Sequence, residues 1–192
     1  MGETRLSMFI GYFNLANFIT LTGLAASVAA CFMAIGGNIQ IAVMLLMLSG
    51  VCDCFDGQVA RMKKARAQAE KVFGVQIDTV SDMVSFGVTP AVILFSMGRY
   101  NIIPVLGNNK FLLVCTSLVL IFYVICAGIR LAYFNTLEIT KTEETGEKIF
   151  VGLPVPFSAI VYPVLFLLAA VLPIPTHISA AVLVVVYLIT AL

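Results

Sequence analysis

Runs of about twenty apolar residues, the length that carries a helix across a bilayer, constrain this chain more than any other feature. Six such runs can be marked, at 15–35, 39–61, 73–97, 110–134, 153–173 and 177–192. Turn-forming residues punctuate them: Gly36-Gly37-Asn38 after the first, Pro104 and Gly107-Asn108-Asn109 between Arg99 and Lys110, and Pro173 and Pro175 before the last. Residues 1–12 are short and mixed, and predict an interfacial helix with Arg5 at the headgroups. The expected fold is an all-α integral membrane protein of about six transmembrane helices with a short N-terminal interfacial helix, in a single domain over 1–192.

Composition agrees. Hydrophobic residues make up 61% of the chain and charged residues 11%, where a soluble domain carries about 25% charged. Mean hydropathy is +1.07. A net charge of +1 gives no electrostatic basis for a nucleic-acid partner, and none is expected. The N-terminus lacks the basic flank, short apolar core and cleavage site of a signal peptide, so the first helix is expected to direct insertion. The sixth run reaches Leu192 without a polar flank, the pattern expected of a truncated span. Cys31, Cys52, Cys54, Cys115 and Cys126 form no CxxC pair and lie in apolar surroundings, which predicts buried thiols and neither disulfides nor zinc. His177 follows Pro173, Pro175 and Thr176 and reads as an interfacial loop residue.

Charge placement sets the orientation. Six crossings put both termini on one side, together with the loops 62–72 and 135–152. Nine of the eleven basic residues fall on that side: Arg5, Arg61, Lys63, Lys64, Arg66, Lys71, Arg130, Lys141 and Lys148. Only Arg99 and Lys110 face the other way. The positive-inside rule makes the richer side cytoplasmic. A multi-pass protein of the cell membrane, with any site near residues 53–82 open to the cytoplasm, is expected.

The four aspartates are the chemical signal. Asp53, Asp56, Asp78 and Asp82 all lie at or inside apolar segments. A carboxylate at bilayer depth costs about 2.5–3.5 kcal/mol on insertion scales and needs a cation or a partner. Asp53 and Asp56 are three apart and share one helix face, and Asp78 and Asp82, four apart, share another. Two antiparallel helices can aim all four at one point. Oxygen-only ligands suit Mg2+, Mn2+ or Ca2+, and no His or Cys stands at zinc spacing. Gly57 and Ala60 continue the first stripe, and Gly74 lies a turn before Asp78. These small residues permit close helix packing or leave room for a ligand beside the metals. Arg61 ends the stripe, where it can snorkel or hold a phosphate.

The run Asp53-Cys-Phe-Asp56-Gly57-Gln-Val-Ala60-Arg61, followed by Gly74-Val-Gln-Ile-Asp78-Thr-Val-Ser-Asp82, resembles the CDP-alcohol phosphotransferase motif, D-x2-D-G-x2-A-R then G-x3-D-x3-D. All eight defining positions are present. The spacer from Met62 to Phe73 is twelve residues where the family has eight or so, and it brings Lys63, Lys64, Arg66 and Lys71. A loop tolerates such an insertion at little entropic cost, and both half-motifs stay intact.

Further runs resemble the phosphatidylserine synthase branch of that family. They are Val84-Ser85-Phe86-Gly87-Val88-Thr89-Pro90-Ala91, Arg130-Leu131-Ala132-Tyr133-Phe134-Asn135, and Phe150-Val-Gly152-Leu153-Pro154-Val-Pro156, with Asn17-Phe-Ile-Thr20 and Gly23 in the first helix. Tyr133 departs from the usual Arg. The resemblance implies transfer of a phosphatidyl group from CDP-diacylglycerol to L-serine, yielding phosphatidylserine and CMP. It implies Mg2+ or Mn2+ held by Asp53, Asp56, Asp78 and Asp82, with Asp82 also the general base. CDP would lie against Asp53, Gly57, Ala60, Arg61, Gly74 and Asp78. Serine would meet Arg130, Asn135 and Ser85, the Arg130 guanidinium facing its carboxylate, although snorkelling also accounts for Arg130 at a helix end. A homodimer among membrane lipids is expected on the same ground.

Two alternatives stand beside this reading. One is the same chemistry on glycerol 3-phosphate, inositol or inositol phosphate, for which Lys63, Lys64 and Arg66 would supply the extra basic cluster. The other is a divalent cation transporter, which the grouping of the aspartates near one face and the lack of an internal repeat disfavour. A purely structural scaffold is poorer still, because four buried aspartates would only weaken it.

Overall fold

A computed structural model of the chain describes residues 14–62, 68–100 and 109–144. All of the secondary structure among them is helical: α1 (Leu15–Ile35), α2 (Ile39–Met62), α3 (Gln68–Asp82), a π-helical stretch (Met83–Val88), α4 (Thr89–Arg99) and α5 (Lys110–Glu144). Four spans are long and apolar enough to cross a membrane: Leu15–Ile35, Ile39–Val59, Val72–Arg99 and Lys110–Thr136. The expected spans 153–173 and 177–192, the interfacial helix at 1–12 and His177 lie outside the described residues.

The burial pattern is that of a protein in lipid. Side chains turned outward are large and apolar, among them Phe18, Phe32, Phe111 and Ile129. Side chains turned inward are often small hydroxyls, with Ser27 and Thr89 wholly buried. Lipid tails are as apolar as leucine, so helices associate through close packing and hydrogen bonds rather than by hiding hydrocarbon. The buried face of α1 shows this in sequence: Ala16, Thr20, Gly23, Ser27, Ala30 and Ala34, alternately four and three apart. Gly23 is where α2 comes nearest, since a Cβ there would sit 3.0 Å from the Cys52 Cβ.

The turn from α1 to α2 is fixed by glycine. Gly37 has φ of +85°, which only glycine adopts freely. The Asn38 N–H bonds the Met33 carbonyl and the Gly37 N–H bonds the Ala34 carbonyl, both within hydrogen-bond distance, which is a Schellman stop. The Tyr100 ring rests 3.4 Å from where a Gly37 Cβ would be, and its hydroxyl donates to the Ile35 carbonyl at 2.5 Å. The end of α4 is thereby tied to this turn.

The spans Val72–Arg99 and Lys110–Thr136 agree with the expected 73–97 and 110–134 to within two residues. The helices themselves run further. The third begins at Gln68, so only 63–67 of the supposed 62–72 loop falls outside the described helices, and α5 continues to Glu144, because the backbone ladder needs no lipid where hydropathy falls. The expectation of buried thiols is corrected: Cys54 is exposed and Cys31, Cys52, Cys115 and Cys126 are half-buried, with none in a disulfide.

Candidate active site

The site forms where α2, α3 and the beginning of α1 meet. Asp53 and Asp56 sit in the last part of α2, and Asp78 and Asp82 close α3. One carboxylate oxygen from each of Asp53, Asp78 and Asp82 lies within 4.8 Å of the others, and all three residues are half-buried. Two like charges 4 Å apart repel by about 4 kcal/mol at the effective dielectric near a protein surface. A trio so close must share a proton or hold a cation among it. Its donors are oxygens alone, the set that hard divalent cations prefer, so the residues present fit Mg2+ or Mn2+.

Asp56 stands apart from this trio. It is 5% exposed, and its Oδ2 accepts the Thr20 hydroxyl at 2.5 Å. A charge-assisted bond of this kind is stronger than a neutral one and fixes the carboxylate's orientation. Thr20 also accepts, through its backbone carbonyl, the Ser81 hydroxyl at 3.4 Å. One α1 residue therefore braces both aspartate helices. The same face of α1 carries Asn17, whose Oδ1 lies 3.5 Å from where a Gly74 Cβ would be, and Asn14, whose amide donates to Glu70. Gly74 thus lets the amide of Asn17 stand beside α3.

Asn135 is brought to the site's edge. Its amide nitrogen donates to the Thr79 hydroxyl at 2.6 Å, next to Asp78 in sequence. Arg130 lies a turn earlier on α5, its guanidinium carbon 5.6 Å from the Phe134 ring centroid, a cation–π contact. Ser85 is differently placed. It is 2% exposed, and its hydroxyl closes a triangle with Ser27 at 2.7 Å and Ser49 at 2.9 Å. While that triangle holds, its bonding capacity is spent on joining α1, α2 and the π-stretch. Gly57 is half-buried on α2. Ala60 and Arg61 belong to the same helix, but their side chains lie outside the described set.

Thr20 entered from sequence only through the run Asn17 to Thr20, without a role, although the two are polar positions three apart on one face of an otherwise apolar span. Ser81 and Thr79 were not singled out. Ser81 and Thr79 sit inside the motif, where the aspartates drew attention away from the variable positions between them.

Comparison with known proteins gives the chain's relatives. A family model described as CDP-alcohol phosphatidyltransferase matches residues 13–192. The chain is 29% identical over 161 residues to the archaetidylserine synthase of Methanothermobacter thermautotrophicus, covering 83% of this chain and 59% of that protein. It is 32% identical over 158 residues to the CDP-diacylglycerol–serine O-phosphatidyltransferase of Saccharomyces cerevisiae, covering 80% and 48%. The enzyme of that name from Bacillus subtilis is 29% identical over 140 residues, 73% of this chain and 68% of its own length. The chain thus spans about half to two thirds of the curated relatives it matches.

Proposed function

The chain belongs to the CDP-alcohol phosphatidyltransferase family, and from that premise we propose that it transfers a phosphatidyl group from CDP-diacylglycerol to the hydroxyl of L-serine. The products are phosphatidylserine and CMP. The observation that carries the chemistry is the trio Asp53, Asp78 and Asp82. What supports serine is the names of the relatives, which share that acceptor while differing in the lipid, together with the run Arg130 to Asn135.

In this reading Asp53, Asp78 and Asp82 would hold Mg2+ or Mn2+, with Asp56 completing the ligand set, and the bound ion would supply neutralising charge for the diphosphate. Gly57, Ala60, Arg61 and Gly74 border the cytidine diphosphate. Asp82 takes the proton of the serine hydroxyl. The hydroxyl oxygen forms a bond to the lipid-bearing phosphorus as the bond from that phosphorus to CMP breaks. Arg130 faces the serine carboxylate, for which its planar fork is suited, and Asn135 contributes hydrogen bonds at the same edge. Ser85, spent on its triangle, is left out of the serine contacts.

The site opens to the cytoplasmic face of the cell membrane, a reading supported by the nine basic residues on that side. The span of the family model supports one membrane domain across the chain. A homodimer rests on the family resemblance alone.

The test is an acceptor panel. Purified protein is given CDP-diacylglycerol and Mn2+ with labelled serine, glycerol 3-phosphate or inositol, and CMP and labelled lipid are followed. Label from serine alone is expected. CMP release with another acceptor and not with serine would keep the chemistry and discard the substrate. Uptake of Mn2+ into proteoliposomes without nucleotide would favour transport instead.

A further inference from the structure

The helix carrying Asp78 and Asp82 changes its winding immediately after Asp82. Met83–Val88 is π-helical, and the Thr89 N–H reaches back five residues to the Val84 carbonyl. One consequence shows on the face turned to α1. Ser81, Ser85 and Thr89 stand four apart, and all bond α1: Ser81 to the Thr20 carbonyl at 3.4 Å, Ser85 to the Ser27 hydroxyl at 2.7 Å, Thr89 to the Ser27 carbonyl at 3.4 Å. In a straight α-helix, positions four apart drift about 40° round the axis at each step. The wider turn absorbs that drift and keeps the row against α1.

Something must hold the wide turn. Phe86 is wholly buried within the π-stretch, and Pro90 brings no N–H to the turn that follows it. The Phe86 carbonyl accepts the hydroxyl of Tyr123 on α5, at 2.7 Å. Tyr123 is itself buried. The same helix grips the residue next to Asp82. Met83 lies against two glycines, its sulfur 3.3 Å from a Cβ built at Gly87 and its terminal carbon 3.3 Å from one built at Gly128 of α5.

We propose that Tyr123 is a positioning residue for Asp82: its hydroxyl holds the π-turn, and the turn sets the angle at which Asp82 faces Asp53 and Asp78. The inference rests on the reading of the three carboxylates as a metal site. Without the hydroxyl the turn loses its bond to α5, and any shift of the turn passes directly to Asp82, which adjoins it.

The test is Mn2+ binding by the purified full chain, read from the loss of the free-ion EPR signal. Tyr123→Phe removes the hydroxyl and keeps the ring. It is expected to weaken Mn2+ binding about ten- to a hundredfold, the usual range for losing an outer support of a metal ligand, while the metal-free variant still melts cooperatively. Tyr123→4-aminophenylalanine restores an N–H donor at the same reach and is expected to recover most of the affinity. Wild-type affinity in Tyr123→Phe, or no recovery with 4-aminophenylalanine, overturns the role of Tyr123 alone. If Tyr123→Phe does not fold, the 4-aminophenylalanine variant decides: folding with wild-type Mn2+ affinity supports the role, and anything less overturns it. No Mn2+ binding by the wild-type protein overturns the metal reading and this inference together.

Discussion

The two ends of the helix bundle follow opposite rules. Where α1 turns into α2, Ala30, Ala34, Ile39, Ala42, Val43 and Leu46 pack against Ile93, Leu94 and Met97. At the other end Asn17, Thr20, Asp56 and Ser81 are buried beside the half-buried Asp53, Asp78 and Asp82. The first end is held by shape and the second by hydrogen bonds and, in our reading, by a metal. In lipid, apolar side chains gain little by facing inward, so the apolar end relies on alanines and glycines that bring backbones close. The polar end accepts three crowded carboxylates, which weaken the fold and make the chemistry possible. Stability and function are therefore expected to respond to different halves of the molecule.

Asp82→Asn should give the largest separation. In the proposed mechanism Asp82 is both base and metal ligand, and its loss is expected to lower phosphatidyl transfer by about 10²–10⁴-fold. The metal-free protein should melt no lower than wild type, because a like charge has gone; a lower melting point would break the contrast. Leu46→Ala probes the apolar end. Large-to-small core changes cost about 2–5 kcal/mol in soluble proteins. In lipid the transfer part largely falls away and the cavity remains, so about 2 kcal/mol is expected. Denaturant titration in detergent would measure it, and Mn2+ affinity of the folded variant should be unchanged. Thr20→Val removes the hydroxyl from Asp56 with little change in volume. A bond to a charged group is worth about 1.5–3 kcal/mol, and its loss should appear mainly as about tenfold weaker Mn2+ binding. A large drop in melting point with normal Mn2+ binding would instead make Thr20 part of the packing.

Much of this contrast was legible in the sequence, for a physical reason. The runs at 15–35 and 39–61 match α1 and α2 to within a residue, because bilayer thickness sets span length directly. The spacings of Asp53 to Asp56 and Asp78 to Asp82 read as shared helix faces, and hydropathy makes an intramembrane carboxylate conspicuous. The division of the four, with Asp56 turned to Thr20, was not legible, since spacing on two helices leaves their mutual rotation open. The π-stretch also escaped. Pro90 signals a missing N–H, but the Tyr123 hydroxyl that meets the turn lies 37 residues from Phe86 in sequence. Asn135 was read for its resemblance, and its bond to Thr79 came only from the packing of α5 on α4 and the π-stretch.

The most direct test of the central claim is metal dependence of the transfer itself. Protein stripped with EDTA would be reconstituted with CDP-diacylglycerol and labelled serine, and Mn2+ returned in steps, beside an Asp78→Asn variant. The account predicts no labelled lipid or CMP without metal, saturable recovery as Mn2+ is restored, and little recovery in the variant. Full transfer in EDTA, or a variant that recovers as the wild type does, would contradict it.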